Sequence, residues 1–579
     1  MENGITRIAI LGGGPSALFI FKKLLNAGHP KIEISIFERK NVLGTGMPYS
    51  EEGARKEHIT NVSENEIPEL ETTMQDWIKT APAKLLESFQ INAKNFNEYK
   101  VLPRLFFGEY LADQFQLLIK KAKSLEIPTH VFLNCNIVDV IDKPELGEVW
   151  LKDEDEKFYQ FEHLIICSGH NWPNDKEDKK KGYFDSPYPP SKLKGIFNHP
   201  IAIRGSSLTA IDAIRTLAND HGKFIEKETG EKIYQLHEDY PDFEMIMHSR
   251  SGLLPAVRFH LEDSHLSGED LLSEEELKAH GKKNDGFIDL DFIFEENFKN
   301  IFIEKDPAFY ERIKDMNLEA FVSEMMELRE RIDAFELLKA EYREAEKSIK
   351  RKDSVYWKEL LAMLSFSLNY PAKYFSAEDM LRLKKNLMPL ISVVIAFVPQ
   401  SSCEVLMALH DSGVLKMISV GEENDWTISD KGGVMLNYKN EEGDMQESYY
   451  QTFVDCIGQP HLNLQDFPFK SLVEDQTISS AYLKFKDFKN GEEMFAENRN
   501  EVLKTEAGDF YLKVPGIAIN DNFQVLNSYG ELNNRIFMMA VPYIGGFNPD
   551  YSGLDFSDAA SDKITSCLTD ILEKENPVL

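Results

Sequence analysis

An α/β fold built from two strand–glycine–helix units is what this 579-residue sequence predicts. Three observations carry the reading. The run IAILGGGPSA at 8–17 is followed by a strand-like ISIFERK at 34–40. A second run of the same type, IAIRGSSLTAIDAIRTLA, spans 201–218. A long charged, helix-forming stretch then separates this second run from further strand–glycine sequences nearer the end of the chain.

Ile8, Ala9, Ile10 and Leu11 are consecutive apolar residues, the pattern of a parallel strand buried on both faces. Gly12, Gly14 and Ala17 supply G-x-G-x-x-A. Gly12 permits the tight turn, Gly14 keeps side chains away from a pyrophosphate, and Ala17 lets the following helix pack on the strand. Pro15 and Ser16 lead into that helix, expected from Ser16 to Asn26, whose free N–H groups and dipole favour phosphate. The next strand, Ile32 to Phe37, ends on Glu38, 26 residues beyond Gly12, with Arg39 beside it. A carboxylate there can accept hydrogen bonds from both hydroxyls of an adenosine ribose. Strand, glycine turn, helix, strand and acid in this order define a Rossmann-like, dinucleotide-binding unit.

NVLGTGMPYS (41–50) and HITNVSENEIP (58–68) follow. Gly44 and Gly46 expose backbone on which a flat ring or a diphosphate could lie, and Asn61 offers a donor and an acceptor. The alternative is an ordinary glycine-rich surface loop. An amphipathic helix then carries apolar residues at Tyr110, Leu111, Phe115, Leu118 and Ile119. Arg104 precedes it, placed either to clamp a cofactor phosphate or to form a surface salt bridge. Four strand-like pieces (129–132, 137–141, 148–151, 158–161) read as an antiparallel meander. HLIICSGHNWP (163–173) is a strand ending in Ser168, Gly169 and His170, where a cofactor can pass close to the backbone.

In the second unit Gly205 and Ala210 hold the first and third glycine places and Ser207 holds the second, with Ser206 between. The Ser207 side chain would obstruct a diphosphate unless it donates a hydrogen bond to it. Asp212 lies one helical turn in. The paired strand, within 243–255, follows a polar insertion at about 219–242 and ends near Arg250, which suits the 2′-phosphate of NADPH; no acid stands there to favour NADH. A degenerate repeat kept for packing is the competing reading.

From about 260 to 370 the sequence is charged and rich in helix formers. Phe321, Met325, Leu328, Ile332, Phe335, Leu338 and Tyr342 recur at three and four, predicting one apolar face. A helical lid is expected, with a homo-oligomer contact as the competing role. Sheet-type sequence is expected to resume near Leu390 and to run to TFVDCIGQP (452–460). RIFMMAVPYIGG (535–546) is an apolar strand leading to Gly545 and Gly546, with helix from about Ser557. Such a terminal strand and helix commonly rejoin the first nucleotide domain.

With 65 basic and 97 acidic residues the net charge is −32, which opposes binding to nucleic acid or an anionic membrane. No charged-then-apolar leader precedes residue 8, so no signal peptide is expected. The apolar stretch 387–398 contains Pro389 and is too short to span a bilayer. The five cysteines show no C-x-x-C pair and no metal-ligand spacing, and three sit in apolar strand-like runs, which predicts ordinary buried thiols, no metal site and a cytoplasmic location.

These landmarks, ILGGGPSA, LGTGMPYS, HITNV, LPRLFFGEYL, IICSGH, GSSLTAID, SRSGLLP and DCIGQP, together resemble a family of bacterial FAD/NAD(P)-binding proteins. That family is related to flavin monooxygenases and to lysine or ornithine N-monooxygenases. The resemblance implies FAD at the first motif and NAD(P)H at the second, where Arg250 favours NADPH over NADH. It departs from the pattern at Ser207 and in lacking the F-x-G-x-x-x-H fingerprint, with DSPYPP (185–190) in roughly that place. The implied layout is an FAD domain in two parts (1–195 and 466–579), an NAD(P) domain in two parts (196–259 and 376–465) and a helical insertion (260–375). The implied function is NAD(P)H-dependent oxidation of a small molecule by hydroxylation, as a monooxygenase, with no nameable catalytic side chain. An FAD oxidase or dehydrogenase with a vestigial nicotinamide site and a non-enzymatic flavin- or nucleotide-binding sensor are the alternatives.

Overall fold

The computed structural model describes residues 5–29, 31–97, 99–170, 177, 180–261, 271–440, 442–459, 461–550 and 553–575. Two parallel sheets organise it. The first has the strand order Gln524–Leu526, Leu532–Met538, His163–Ile166, Thr6–Leu11, Ile32–Glu38, Thr129–Leu133, parallel throughout except for the antiparallel Gln524–Leu526 edge. It therefore draws strands from both ends of the chain. Its central strands are buried because helices cover the sheet and the segment 148–161 also packs on it, with Phe37 edge-on to Tyr159 and Phe161. Pro15–Ala27 packs against Leu554–Glu575, and Lys23 Nζ ties the two through Asp558 and Asp562.

Thr129–Leu133 corrects one expectation. It pairs in parallel with Ile32–Glu38, with the helix Arg104–Ser124 preceding it. Only Ile137–Lys143, Glu148–Asp153 and Phe158–Phe161 form the antiparallel meander. A run of four or five residues carries no record of which neighbour it pairs with.

The second sheet is parallel throughout, in the order Tyr183–Phe184, Thr452–Asp455, Pro200–Arg204, Glu244–Ser249, Leu415–Ser419. The polar insertion before Glu244 forms a hairpin, Gly222–Glu226 against Lys232–Leu236. Ile201, Ile203, Met245, Met247, Leu406 and Leu415 belong to a core of its own.

The charged stretch is helical, but its apolar spacing belongs to two helices, Leu318–Glu330 and Ala334–Arg351. Asp333 starts the second by accepting the N–H groups of Phe335 (3.0 Å) and Glu336 (3.1 Å). Phe321 and Met325 enter the core shared with the first sheet, while Phe335 and Leu338 enter the core of the second. Leu328 and Ile332, each 46% exposed, flank the break and face neither core. Helix also persists past Leu390, through Met388–Val394 and Gln400–Asp411, so strand structure resumes only at Leu415.

Candidate functional site

The two glycine turns are built to one plan. Gly12 N–H donates to Phe37 O (2.9 Å) and Gly205 N–H to His248 O (2.8 Å). Gly12 has φ +109° and Gly205 φ +111°. A Cβ on either would lie 2.7 Å from a carbonyl oxygen, that of Cys167 in the first unit and Cys456 in the second. Those cysteines in turn donate their N–H groups to Leu11 O and Arg204 O, both at 2.8 Å. Because Leu11 pairs with Phe37 and Arg204 with His248, the units align residue by residue. Ser207 then stands for Gly14, Ala210 for Ala17, Ser249 for Glu38 and Arg250 for Arg39.

In the first turn, the buried Glu38 accepts Gly13 N–H at Oε2 (2.7 Å) and Lys40 N–H at Oε1 (2.9 Å). Each oxygen keeps a second lone pair, enough for a ribose diol. Gly14 faces Gly46, with 3.2 Å between an added Cβ and Gly46 Cα, so a side chain at Gly14 would fill the cradle. Gly44 N–H donates to Gly13 O (2.6 Å), and Lys40 Nζ holds Gly46 O at 3.2 Å. Pro15, Ser16 and Ala17 open the helix, and Ser16 Oγ lies 3.2 Å from Ser557 Oγ, so two helix starts meet beside the turn. Gly44 earns its place differently from the expectation: its φ is +92°, and a Cβ would meet Leu111 O at 2.5 Å, so it lets the loop pack on the Arg104–Ser124 helix. Arg39 is exposed and pairs with Glu52 at 3.4 Å.

In the second turn, Ser206 Oγ donates to Leu253 O (2.7 Å). Ser207 begins the helix Leu208–His221 without capping it through its side chain. Its hydroxyl is therefore free of the helix's own N–H groups. Arg250 is largely exposed, 3.7 Å from Glu422.

Arg104 is the main correction among the candidate residues. Its guanidinium bonds Asp212 Oδ2 through Nη1 and Ile59 O through Nε (3.0 Å). Tyr188, from the DSPYPP segment, donates to the same Asp212 oxygen at 2.6 Å. Burial opposes the Arg104 charge, yet Asp212 and Tyr188 hold its pKa above the ordinary value. A phosphate clamp needs a cation directed at the glycine turn, whereas this one is directed at the helix of the second unit. His58 Nε2 lies 2.9 Å from Thr216 Oγ1 and 3.1 Å from Asp212 O, and burial pushes its imidazole down to about 4. Arg215 donates to Glu57 O (2.7 Å), and Arg55 makes two bonds to Asp220 (2.9 and 3.1 Å).

Ser168 and Gly169 follow the strand His163–Ile166, and Gly169 is exposed with open space where a Cβ would be. His170 is half-buried beside Gln459, the corresponding position of the second unit, and desolvation lowers its pKa. Asn61 is exposed, and its carbonyl accepts from Arg258. Gly545 is half-buried, and Gly546 is buried with Pro515 O where its Cβ would be, so Gly546 serves packing.

Sequence reasoning missed Thr45, Lys40, Asp550 and Asp555. Burial raises Asp550 to about 6. Asp555, in the first turn of Leu554–Glu575, is raised to about 7 by burial and then by Glu66, Asp558 and Asp550. Only Thr45 carried a signal, its place between Gly44 and Gly46.

Residues 9–171 match a family described as FAD-NAD(P)-binding, and residues 273–395 match one described as YdhS-like middle domain. The uncharacterized protein YdhS of Escherichia coli (strain K12) is 27% identical over 476 residues, covering 81% of this chain and 86% of that protein. Among solved structures, FAD-bound DfoA, a cadaverine monooxygenase from Erwinia amylovora, aligns over 98% of this chain and 95% of its own, with TM-score 0.47 and 11% identity. Lysine monooxygenase NbtG from Nocardia farcinica aligns over 97% of this chain and 100% of its own, with TM-score 0.40 and 10% identity. Among the described residues, no helix is long and apolar enough to cross a membrane. The first glycine turn and its acid, Gly12 to Glu38, fall inside the 9–171 segment that matches the FAD-NAD(P)-binding family.

Proposed function

We propose that this protein is an FAD-dependent oxidoreductase that takes electrons from NADPH and acts on a small molecule as a monooxygenase. The observation that carries the reading is the pair of equivalent glycine turns with different strand ends. Glu38 suits the unmodified ribose of FAD, while Ser249 and Arg250 leave room and charge for a 2′-phosphate. The Gly14–Gly46 cradle fits a diphosphate, and the unengaged Ser207 hydroxyl can donate to one. Gly12, Gly14, Pro15, Ser16, Ala17 and Glu38 would hold the flavin nucleotide; Gly205, Ser206, Ser207 and Arg250 the nicotinamide nucleotide. Bound flavin supplies a two-electron acceptor that can pass electrons on to oxygen. The chain's own part is to orient both nucleotides and keep water out. Ser365 and Asn369, from the helical stretch, bond Asp550 ahead of the Leu554–Glu575 helix, which favours that stretch as the cover.

Anaerobic titration of the purified yellow protein with NADPH and with NADH tests this. NADPH should bleach the flavin at lower concentration, and Arg250→Ala should lose that preference with the flavin spectrum intact. Equal reduction by both nucleotides overturns the coenzyme assignment. Hydrogen peroxide formed in equal amount to NADPH consumed, across a metabolite screen, would replace monooxygenase by oxidase.

A further inference from the structure

Thr45 is 8% exposed, and no described residue donates to or accepts from its Oγ1. Both its neighbours are tied to the first glycine turn. Gly44 N–H donates to Gly13 O at 2.6 Å, and Gly46 lies against Gly14 with its carbonyl held by Lys40. The loop therefore cannot swing Thr45 into solvent without giving up these contacts. A hydroxyl buried without a partner is unfavourable, and native interiors pair nearly all such groups. Threonine also keeps a γ-methyl, so valine would fill this place equally well if packing were its whole role.

We infer that Thr45 is a cofactor-binding residue whose Oγ1 donates a hydrogen bond to a diphosphate oxygen of the nucleotide in the first turn; this rests on the FAD reading above. The diphosphate is the part of the cofactor that the Gly12–Gly14 turn and the start of the Pro15–Ala27 helix are built to receive. An anionic oxygen accepts from a hydroxyl more strongly than a neutral one does. The hydroxyl is then paired only when the nucleotide is bound, which predicts opposite effects of its removal on affinity and on cofactor-free stability.

The test compares the full chain, stripped of flavin, as wild type, Thr45→Val and Thr45→Ser. FAD affinity is read by flavin fluorescence, ADP affinity by competition, and thermal unfolding without nucleotide. Thr45→Val should weaken FAD and ADP alike by about tenfold, the scale of one charge-assisted hydrogen bond. Its nucleotide-free melting temperature should equal or exceed that of wild type. Thr45→Ser should bind within about twofold of wild type. Unchanged affinity in Thr45→Val overturns the inference, as does a loss confined to FAD or one matched by lower nucleotide-free stability. Wild-type protein that binds neither FAD nor ADP would instead bring down the underlying FAD reading.

Discussion

Gly12 and Gly205 meet the same two constraints, a positive φ and a cysteine carbonyl 2.7 Å from where a Cβ would sit. Either constraint alone disfavours alanine, because L side chains clash in that backbone region and the carbonyl belongs to a central strand end that cannot retreat. Gly12→Ala and Gly205→Ala should each destabilise the fold by about 1–3 kcal/mol in urea unfolding. Their functional effects should separate: flavin occupancy falls in the first, and the rate of flavin reduction by NADPH falls in the second. A Gly12→Ala protein with full stability and full flavin would remove the basis for this turn. Lys40 shows how a residue acts at a distance from its motif, since its N–H steadies Glu38 while its ammonium pins Gly46.

The helix Leu208–His221 turns one polar face to the first unit. Asp212, Arg215, Thr216 and Asp220 recur at three, one and four, the spacing of a single helical stripe, and meet Arg104, Glu57, His58 and Arg55. Of the two ion pairs in this seam, Arg104–Asp212 is more buried than Arg55–Asp220, so removing one partner strands the other. Asp212→Ala should cost about 3–5 kcal/mol in chemical denaturation, whereas the double change Arg104→Met/Asp212→Leu should recover most of that loss. A single variant as stable as wild type would show that the seam does not hold the two sheets together. Tyr188 joins the same seam from DSPYPP, which gives that segment a structural task.

Across the whole molecule, the closing segment joins the helical stretch to the first sheet at a cluster of acids. Burial raises Asp550 to about 6; burial, with Glu66, Asp558 and Asp550, raises Asp555 to about 7. Arg258 pairs with Glu66 and Lys23 with Asp558, while Ser365 donates to the Asp550 carboxylate and Asn369 bonds its backbone. A carboxyl whose folded pKa exceeds its unfolded value favours the folded state when protonated. Its contribution is complete below the unfolded pKa near 3.8 and is lost as pH rises through the folded value. Wild-type melting temperature should therefore lose ground to Asp555→Asn between about pH 4 and pH 7, with little further divergence above. Parallel melting curves for the two proteins across that range would contradict the raised pKa.

What the sequence by itself determined is the local grammar of each nucleotide turn. An apolar run, a glycine at positive φ, a small residue three places past the second glycine position and an acid or its absence at the next strand end are all set within about 50 residues. Their physics is backbone sterics and strand burial, which act between near neighbours. Tertiary structure alone decided the partner of Arg104, 108 residues away at Asp212, and the pairing of Thr129–Leu133 with Ile32–Glu38. It also decided the break at Asp333, where apolar spacing ran on unbroken while the chain changed cores, and the burial of Thr45. In each case the deciding energy is a contact made across the fold, and periodicity along a chain records which face is apolar without recording what that face meets.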